Sequence, residues 1–261
     1  MYAPSGYTYA WLRCPASGTG CSAIAGATAA TYRLTASDVG HAVRVAVSAR
    51  NAAGTASAAT SAATPVVVPL PSSTAAPVLS GVAAVGHQLS TSAGTWNSAV
   101  TLAYRWLRCA ADGTGCGAIP GATSATYVPA AADAGHTLEA QVSGTNAAGA
   151  ATAVSNRSVI VAPVPASRKA PHISGRARVG RRLTGSRGSW SGAPETYRFQ
   201  WLRCNRRGGS CVRIGRATHS TYRLEKRDAR HRLRVRVTAA NAAGSTTATS
   251  RATARVPAAR H

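Results

Sequence analysis

The sequence predicts an all-β fold in which a small two-sheet sandwich is repeated in tandem. The first observation behind this prediction is an internal repeat: Trp11, Trp106 and Trp201 follow one another at intervals of 95 residues. The second is the alternation of apolar and polar residues over stretches such as 136–146, which is the period of a half-buried strand. The third is that apolar residues nowhere recur at helical spacing, while Gly, Ser, Thr and Pro interrupt the chain roughly every 8–12 residues, as in sandwiches.

The repeated motif is clearest in residues 104–127, which read YRWLRCAADGTGCGAIPGATSATY. Asp112 and Gly113 favour a tight type I′ turn, so the segment is predicted to be a hairpin in which Cys109 lies opposite Cys116. Directly opposite residues of an antiparallel pair are about 4.5–5.5 Å apart at Cα, which is within disulfide reach. The predicted disulfides, one in each repeat, are Cys14–Cys21, Cys109–Cys116 and Cys204–Cys211.

Aromatic residues beside each hairpin form the predicted structural core. Tyr104 and Trp106 are two residues apart and therefore point to the same side of their strand, with Arg105 and Leu107 on the other side. The predicted core residues are Trp11, Trp106, Trp201, Tyr32, Tyr127 and Tyr222.

The strand at 136–146 is followed by the turn sequence NAAG. The same four residues occur at 51–54, 146–149 and 241–244. Asn and Gly tolerate positive φ, so this turn leads into a last strand. Together with two early strands before the Trp-Leu-Arg-Cys strand, each complete repeat has about seven strands in two sheets, which is an immunoglobulin-like sandwich.

The 95-residue period divides the 261-residue chain into three domains. The predicted boundaries are 1–66 for a first repeat truncated at its N-terminus, 67–76 for a Pro-rich linker, 77–162 for the second repeat, 163–170 for a second linker, and 171–257 for a strongly basic third repeat. Both linkers are expected to be stiff and extended because they are rich in Pro. A sandwich without its first two strands leaves open edges, so we expect the full-length protein to contain further residues upstream of Met1. A longer product also accounts for the absence of a signal peptide.

The combined motif of the second repeat resembles a known family. The segments YRWLRC, IPGATSATY, AADAGHTL and TNAAGAA are similar to those of bacterial extracellular immunoglobulin-like repeats, which occur in long, modular surface or secreted proteins. The resemblance covers essentially the whole chain and implies a sandwich fold and a location outside the cell or on its surface. Two features of antibody domains are missing: the inter-sheet disulfide, because these cysteines are local, and the Tyr of the tyrosine corner.

The net charge of +23 is concentrated in the third repeat, where residues 168–261 carry 23 Lys and Arg against three acids. Arg232, Arg234 and Arg236 alternate with apolar residues and share the outward face of one strand, at a spacing of about 6.8 Å. The candidate polyanion-binding residues are Arg198, Arg206, Arg207, Arg213, Arg232, Arg234 and Arg236. Such a surface attracts anionic wall polymers, acidic polysaccharide, lipid head groups or nucleic acid. The alternative is an arginine-rich surface that is merely solvated.

Aromatic side chains for base stacking are not interleaved on this face, so sequence-specific binding of nucleic acid is disfavoured. A zinc site is also disfavoured, although each Cys pair could be completed by His41, His136 or His231. Zinc ligands of this kind are usually two to four residues apart, whereas six residues separate the cysteines here. The linkers contain no carboxylate that could bind calcium.

Catalysis finds no support in the sequence. Seven acidic residues are spread over the chain, and no recurring pair lies near a His or Ser in a way that positions a general base. Asp38, Asp133 and Asp228 are interpreted instead as turn caps. The prediction is therefore a non-enzymatic protein without a cofactor or metal, and no apolar stretch approaches the roughly 20 residues of a membrane-spanning helix.

Three functions remain after these exclusions. The first is a non-catalytic array of a bacterial surface or secreted protein that acts as a spacer, adhesion or binding module, with surface polymers or another surface protein as partners. The second is polyanion binding through the basic third repeat. The third is a set of accessory domains for an enzyme encoded upstream.

Overall fold

The computed structural model describes residues 3–258 and is all-β apart from short 3-10 turns. Its antiparallel sheets are arranged as tandem immunoglobulin-like sandwiches, so the fold class predicted from the alternation and the repeat is confirmed. Among the residues described, no helix has the length and apolar character needed to cross a membrane.

Repeat 1 contains a single sheet in the described part of the chain. Its strands are β1 (Gly6–Cys14), β2 (Ser22–Ala23), β3 (Ala42–Asn51), β4 (Gly54–Thr55) and β5 (Ala59–Thr60), with a 3-10 turn at Ala36–Asp38. The order is β2-β1-β3-β4, and β5 also pairs with β3. The long strands β1 and β3 pair from Gly6↔Arg50 to Cys14↔Ala42. Trp11 on β1 remains only half-buried, because no second sheet covers this one within the described residues of the repeat.

Repeat 2 has three sheets. Its strands are β6 (Ser73–Ala75), β7 (Leu79–Gly81), β8 (Leu89–Thr91), β9 (Thr95–Trp96), β10 (Thr101–Cys109), β11 (Gly117–Ala118), β12 (Thr126–Tyr127), β13 (Thr137–Asn146) and β14 (Gly149–Val154), with a 3-10 turn at Ala131–Asp133. The sheet orders are β11-β10-β13-β14, β12-β8-β7 and β6-β9.

Repeat 3 has the same arrangement. Its strands are β15 (Ala166–Lys169), β16 (Ile173–Ser174), β17 (Arg182–Gly185), β18 (Ser189–Ser191), β19 (Thr196–Cys204), β20 (Val212–Arg213), β21 (Thr221–Arg223), β22 (Arg232–Asn241) and β23 (Gly244–Thr249), with a 3-10 turn at Lys226–Asp228. The sheet orders are β20-β19-β22-β23, β16-β17-β21 and β15-β18.

The chain forms two compact units. The first contains residues up to Val78 together with Ala93–Tyr104 and Gln141–Ser155, and it includes the sheet of repeat 1. The second contains Leu79–Ser92, Arg105–Ala140 and the chain from Asn156 onward, and it includes both buried apolar cores.

Each of these two cores is built around one tryptophan. Trp106 and Trp201 are completely buried; Tyr222 is a buried member of its cluster, whereas Tyr127 is partly buried and packs against the cluster of repeat 2. The apolar residues packed around the indole come from both sheets of the sandwich, as the alternating pattern predicts. They include Leu89, Leu138 and Val161 in repeat 2, and Leu183, Leu233 and Val256 in repeat 3.

Each segment predicted as a linker contains a strand that the sequence analysis did not predict. Strand β6 lies within 67–76 and pairs with β9, and strand β15 lies within 163–170 and pairs with β18. Each segment is also held by the Asn of the following NAAG turn: the amide of Asn146 donates to the Pro69 carbonyl at 2.9 Å, and that of Asn241 donates to the Pro163 carbonyl at 2.8 Å. Pro prevents helix formation but leaves its carbonyl as an acceptor, so a Pro-rich segment can serve as an edge strand. The remaining domain boundaries stay predictions.

The hairpin turn also differs from the expectation. A type I′ turn requires positive φ at both central residues, but of Asp112 and Gly113 only Gly113 has one, at 87°. The turn closes instead by a bond from the Gly113 amide to the Ala110 carbonyl at 2.8 Å, and the Asp112 carboxylate accepts the amide of Thr114 at 2.9 Å. The register Arg108↔Gly117 nevertheless brings Cys109 opposite Cys116, as predicted.

Candidate functional site

All three predicted disulfides are present. The Cα atoms of Cys109 and Cys116 are 4.0 Å apart, and the pairs Cys14–Cys21 and Cys204–Cys211 are bonded in the same way. Glu139 lies close to the sulfurs of the second pair, but two sulfurs bonded to each other are not the thiolates that bind a metal ion. The cysteines therefore serve as covalent braces of the hairpins.

Repeat 2 contains a buried carboxylate, that of Asp133, whose side chain is 0% exposed. Its Oδ1 accepts Nε of Arg108 at 2.7 Å and lies 2.6 Å from Nη2 of the same guanidinium. Its Oδ2 accepts the hydroxyl of Tyr127 and the amide of Ala130, both at 2.7 Å. A carboxylate taken out of water is costly unless it is paired and hydrogen-bonded, and four donors meet that requirement here.

The same network occurs once in each repeat. In repeat 1 Asp38 accepts from Arg13 at 2.9 Å and 2.8 Å and from the Tyr32 hydroxyl at 2.9 Å. In repeat 3 Asp228 accepts from Arg203 at 2.8 Å and from the Tyr222 hydroxyl at 2.8 Å. The donated amides come from Thr35 at 2.7 Å and Glu225 at 2.8 Å.

The local sequence explains how these groups meet. In the Trp-Leu-Arg-Cys strand, Trp106 and Arg108 are two residues apart and point to the same side, so the guanidinium follows the indole toward the interior. The indole N–H donates to the Ser124 carbonyl at 2.9 Å, and its ring packs against Tyr127 with 5.5 Å between centroids. The 3-10 turn that ends at Asp133 presents the carboxylate to both groups.

The interpretation of Asp38, Asp133 and Asp228 as turn caps is confirmed, because each accepts the amide three residues earlier. Sequence reasoning missed the ion pairs that these residues make. The signal was present in the sequence, since an Arg precedes the first Cys of all three pairs. The missed residues are Arg13, Arg108 and Arg203.

The hydrogen bonds of the network shift pKa values. Burial by itself raises the pKa of Asp38, but the Thr35 amide, the Arg13 guanidinium and the hydroxyls of Thr35 and Tyr32 stabilise the carboxylate and lower its pKa to about 2. Burial and the hydrogen bond to Asp133 raise the pKa of Tyr127 to about 12. The Tyr127 phenol therefore stays protonated as a donor, and the Asp38 carboxylate stays ionised as an acceptor, at any physiological pH.

The three histidines considered as zinc ligands lie three residues after the buried Asp that ends each 3-10 turn. Nδ1 of His41, His136 and His231 lies 3.1 Å, 3.3 Å and 2.9 Å from the carbonyl two residues earlier. Each ring is thus engaged with its own turn and does not approach the cysteine sulfurs.

The predicted basic surface lies on the sheet of repeat 3 that contains β19 and β22. Directly opposite residues of an antiparallel pair share one face, and Leu202 lies between Arg234 on one side and Arg213 on the other. In the neighbouring rows Gln200 is opposite Arg236 and Cys204 is opposite Arg232. We call this surface the arginine face; its arginines are Arg198, Arg213, Arg232, Arg234 and Arg236.

Arg206 and Arg207 lie at the tip of the adjacent hairpin and are exposed. The Arg206 carbonyl accepts Nε of Arg232 at 2.9 Å, which joins the hairpin to the arginine face. The structure therefore places all seven predicted arginines on one sheet face or at its hairpin, with no acidic residue among the paired positions of that face.

One cavity of about 710 Å³ lies in the first compact unit. Its lining is apolar or hydroxylic and contains no acidic, basic, histidine or cysteine side chain; it includes Leu34, Val39, Val66, Val68 and Leu70. This cavity offers no group for acid–base chemistry and no base that could activate the hydroxyls of Thr35 and Thr64 as nucleophiles.

No protein-family model and no curated protein matches the chain. Among solved structures, the three N-terminal domains of the highly immunogenic outer capsid protein of bacteriophage RB49 are 14% identical; the match covers 98% of this chain and 90% of that one, with a TM-score of 0.41. A Ca²⁺-stabilised adhesin with which an Antarctic bacterium binds ice is 14% identical, over 100% and 68% of the two chains, with a TM-score of 0.45. A titin fragment is 18% identical, over 95% and 88%, with a TM-score of 0.38.

The depressed pKa of Asp38 predicts an acid-labile contribution to stability. Because the pKa is about 2 in the folded chain and 3.8 without these partners, the folded form binds the proton more weakly. The stabilisation is therefore complete above about pH 4 and is lost as the pH falls toward 2. Carbon-detected NMR of the Asp38 carboxyl in the full chain is expected to show a midpoint near pH 2. The Asp38→Asn variant assigns the signal, and a midpoint at the ordinary value near 3.9 would contradict the network.

Proposed function

We propose that this chain is a non-catalytic array of immunoglobulin-like repeats in a bacterial surface or secreted protein, where it acts as a spacer that presents a binding repeat. The observation that supports this proposal most is that the chemistry-bearing residues are used in holding each repeat together. Every Cys is in a disulfide, and each repeat devotes its buried Asp, one Arg and one Tyr to the same network.

The acidic residues illustrate the point. Five of the seven acidic side chains lie in ion pairs, and a sixth, Asp112, accepts hydrogen bonds from Thr114. A general base needs a carboxylate or imidazole that is within reach of a substrate proton, and carboxylates neutralised by an adjacent guanidinium are poor candidates.

Small domains with local disulfides are typical of oxidising compartments, which supports a location outside the cell.

The location is tested by trapping thiols in the cells that produce the protein. After acid quenching and alkylation, we expect none of the six cysteines to be labelled before reduction and all six to be labelled after it. Mass spectrometry of the isolated chain gives the count. Alkylated cysteines in the unreduced sample would place the chain in a reducing compartment and would refute the extracellular proposal.

A second function, polyanion binding by repeat 3, is favoured by the register of the arginine face. Strand pairing brings five arginines from three adjacent strands onto one surface, next to the exposed arginines of the hairpin. The three acids of repeat 3 do not neutralise them: Asp228 pairs with Arg203, Glu225 pairs with Arg227, and Glu195 forms no ion pair with an arginine among the described residues. A surface of one sign binds a polymer of the opposite sign by releasing its counterions.

The arginine face is tested by reversing two of its charges. The variant with Arg234→Glu and Arg236→Glu is expected to elute from heparin and from anionic wall polymer at lower salt than the unaltered chain. The slope of log affinity against log salt should fall by about two, one for each lost contact. Retention measured over a series of salt concentrations gives both values.

The matched control changes the same charge elsewhere on repeat 3. Arg176 and Arg178 are exposed and lie in the connection between β16 and β17, which belong to the other sheet. The variant with both residues changed to Glu is expected to retain most of the binding. Equal loss of retention in the two variants would show a response to net charge and would rule out a binding face.

A further inference from the structure

One position of the outward sheet face carries a different charge in different repeats. It is occupied by Arg44, Glu139 and Arg234, which are related by the 95-residue period. In repeat 2 the position is neutralised within the chain, because Nε of Arg157 donates to Oε1 of Glu139 at 3.0 Å. Among the described residues Arg44 and Arg234 have no acidic partner.

The partner position has changed along with the charge. In repeat 2 a Cβ added to Gly113 of the hairpin would overlap the guanidinium of Arg157. The equivalent Cβ on Gly18 would meet Ala63 at 3.3 Å, and that on Gly208 would meet Ala252 at 3.2 Å. Ala63 and Ala252 therefore occupy the place of Arg157, and in repeat 3 Cδ of Arg232 also lies 3.5 Å from the Cβ position on Gly208.

The arginines of repeats 1 and 3 extend into this same place. Nη2 of Arg44 and Nη2 of Arg234 lie 3.9 Å and 4.0 Å from those Cβ positions, beneath the hairpin. Nε of both residues is buried and makes no hydrogen bond with the described residues, and Nη1 of Arg234 has only a long contact of 3.4 Å with the Ser250 carbonyl. A buried guanidinium N–H without an acceptor is destabilising, so both repeats contain a cation whose partner the described residues do not supply.

We propose that the space beneath the disulfide hairpin is an oxyanion site in repeats 1 and 3. A carboxylate, sulfate or phosphate group of an external anionic polymer takes the role that Glu139 has in repeat 2, where the internal ion pair keeps the site closed. A guanidinium binds such groups through two parallel N–H donors. The partly exposed Nη groups meet the ligand first, and a change of rotamer then brings Nε–H to a second oxygen.

The chemistry of the surroundings favours an anionic glycan or polyol polymer. Leu202 beneath Arg234 is only 3% exposed, so the face offers no apolar group for insertion into a lipid surface. No Trp, Tyr or Phe is among the paired outward positions of this sheet, so nucleobases find no stacking platform. The arginines beside the site bind the other anionic groups of the polymer. For repeat 3 the inference therefore rests on the proposed polyanion binding.

The site is tested by titrating the full chain with sodium sulfate at constant ionic strength, balanced with sodium chloride. The NMR signals of the arginine Nε–H groups report each site separately. We expect saturable shifts for Arg44 and Arg234 and none for Arg157, which is already paired. A linear response shared by all arginines would overturn the proposal.

Two variants supply the missing carboxylate from within the chain. Ala252→Glu is expected to abolish the saturable shift of Arg234 and to leave that of Arg44 intact, and Ala63→Glu is expected to do the reverse. Ser245→Glu is the matched control, because Ser245 is exposed on the same sheet face, opposite Ala240 and away from Arg234. A saturable Arg234 shift that survives in Ala252→Glu would contradict the proposed site.

Polymers then identify the source of the oxyanion. Carboxylated, sulfated and glycerol-phosphate polymers are compared as competitors of sulfate at Arg234, together with single-stranded DNA and anionic phospholipid vesicles. Displacement by one of the first three supports the assignment, whereas stronger displacement by DNA or vesicles overturns the choice of polymer.

If heparin retention depends on the arginine face but sulfate does not saturate, only this inference fails. If sulfate saturates without retention on any polymer, the proposed polyanion binding fails together with the assignment of the ligand to a polymer, and only the binding of small oxyanions at Arg44 and Arg234 stands.

Discussion

A buried carboxylate in each repeat is the interaction on which the rest of the structure depends. Asp133 ties three segments together: the strand that carries Arg108, which is 25 residues away in the chain, the nearby segment that carries Tyr127, and its own 3-10 turn. Because removal of any one donor leaves a charged or polar group unpaired away from water, the corner tolerates only one arrangement of these segments. The same argument applies to Asp38 and Asp228, each of which also accepts from an Arg, a Tyr hydroxyl and a backbone amide.

The local disulfide complements this network. A domain of this size buries only a modest core, and a covalent brace reduces the freedom of its unfolded chain. In each repeat the first Cys directly follows the Arg of the network, so one strand end is fixed both by the disulfide and by the ion pair. This double fixation holds the hairpin in place over the outward sheet face, which is where the repeats differ in charge.

Much of the fold followed from the sequence because periodicity reports which side chains face inward. The 95-residue repeat, the alternation in β13 and the facing of Cys109 and Cys116 rest on local rules that tertiary contacts did not override. The strands within the two Pro-rich segments were not predicted. Composition indicates that a Pro-rich segment is extended, but the sequence alone does not show that β6 and β15 find a partner strand.

The candidate site illustrates the same limit. Alternation placed Arg232, Arg234 and Arg236 on one face, and the register added Arg198 and Arg213 to it as expected. The pairing of Arg108 with Asp133 was not predicted, because 25 residues separate them and neither alternation nor turn chemistry relates such positions. In the other repeats Arg replaces Glu139 and Ala replaces Arg157. The sequence did not relate these two changes, because only the structure shows that both positions lie under the same hairpin.

The central claim is that the buried ion pair couples these segments energetically, and a double-mutant cycle tests it most directly. Arg108→Met and Asp133→Asn are introduced singly and together in the full chain, and hydrogen exchange of the β13 amides gives the free energy of opening for each variant. Each single change leaves the other group unpaired, so we expect each to cost about 2–4 kcal/mol, with the double variant less destabilised than the sum by at least about 1 kcal/mol. Additive losses would show that the two groups are not coupled and would contradict this account of how the repeat is held together.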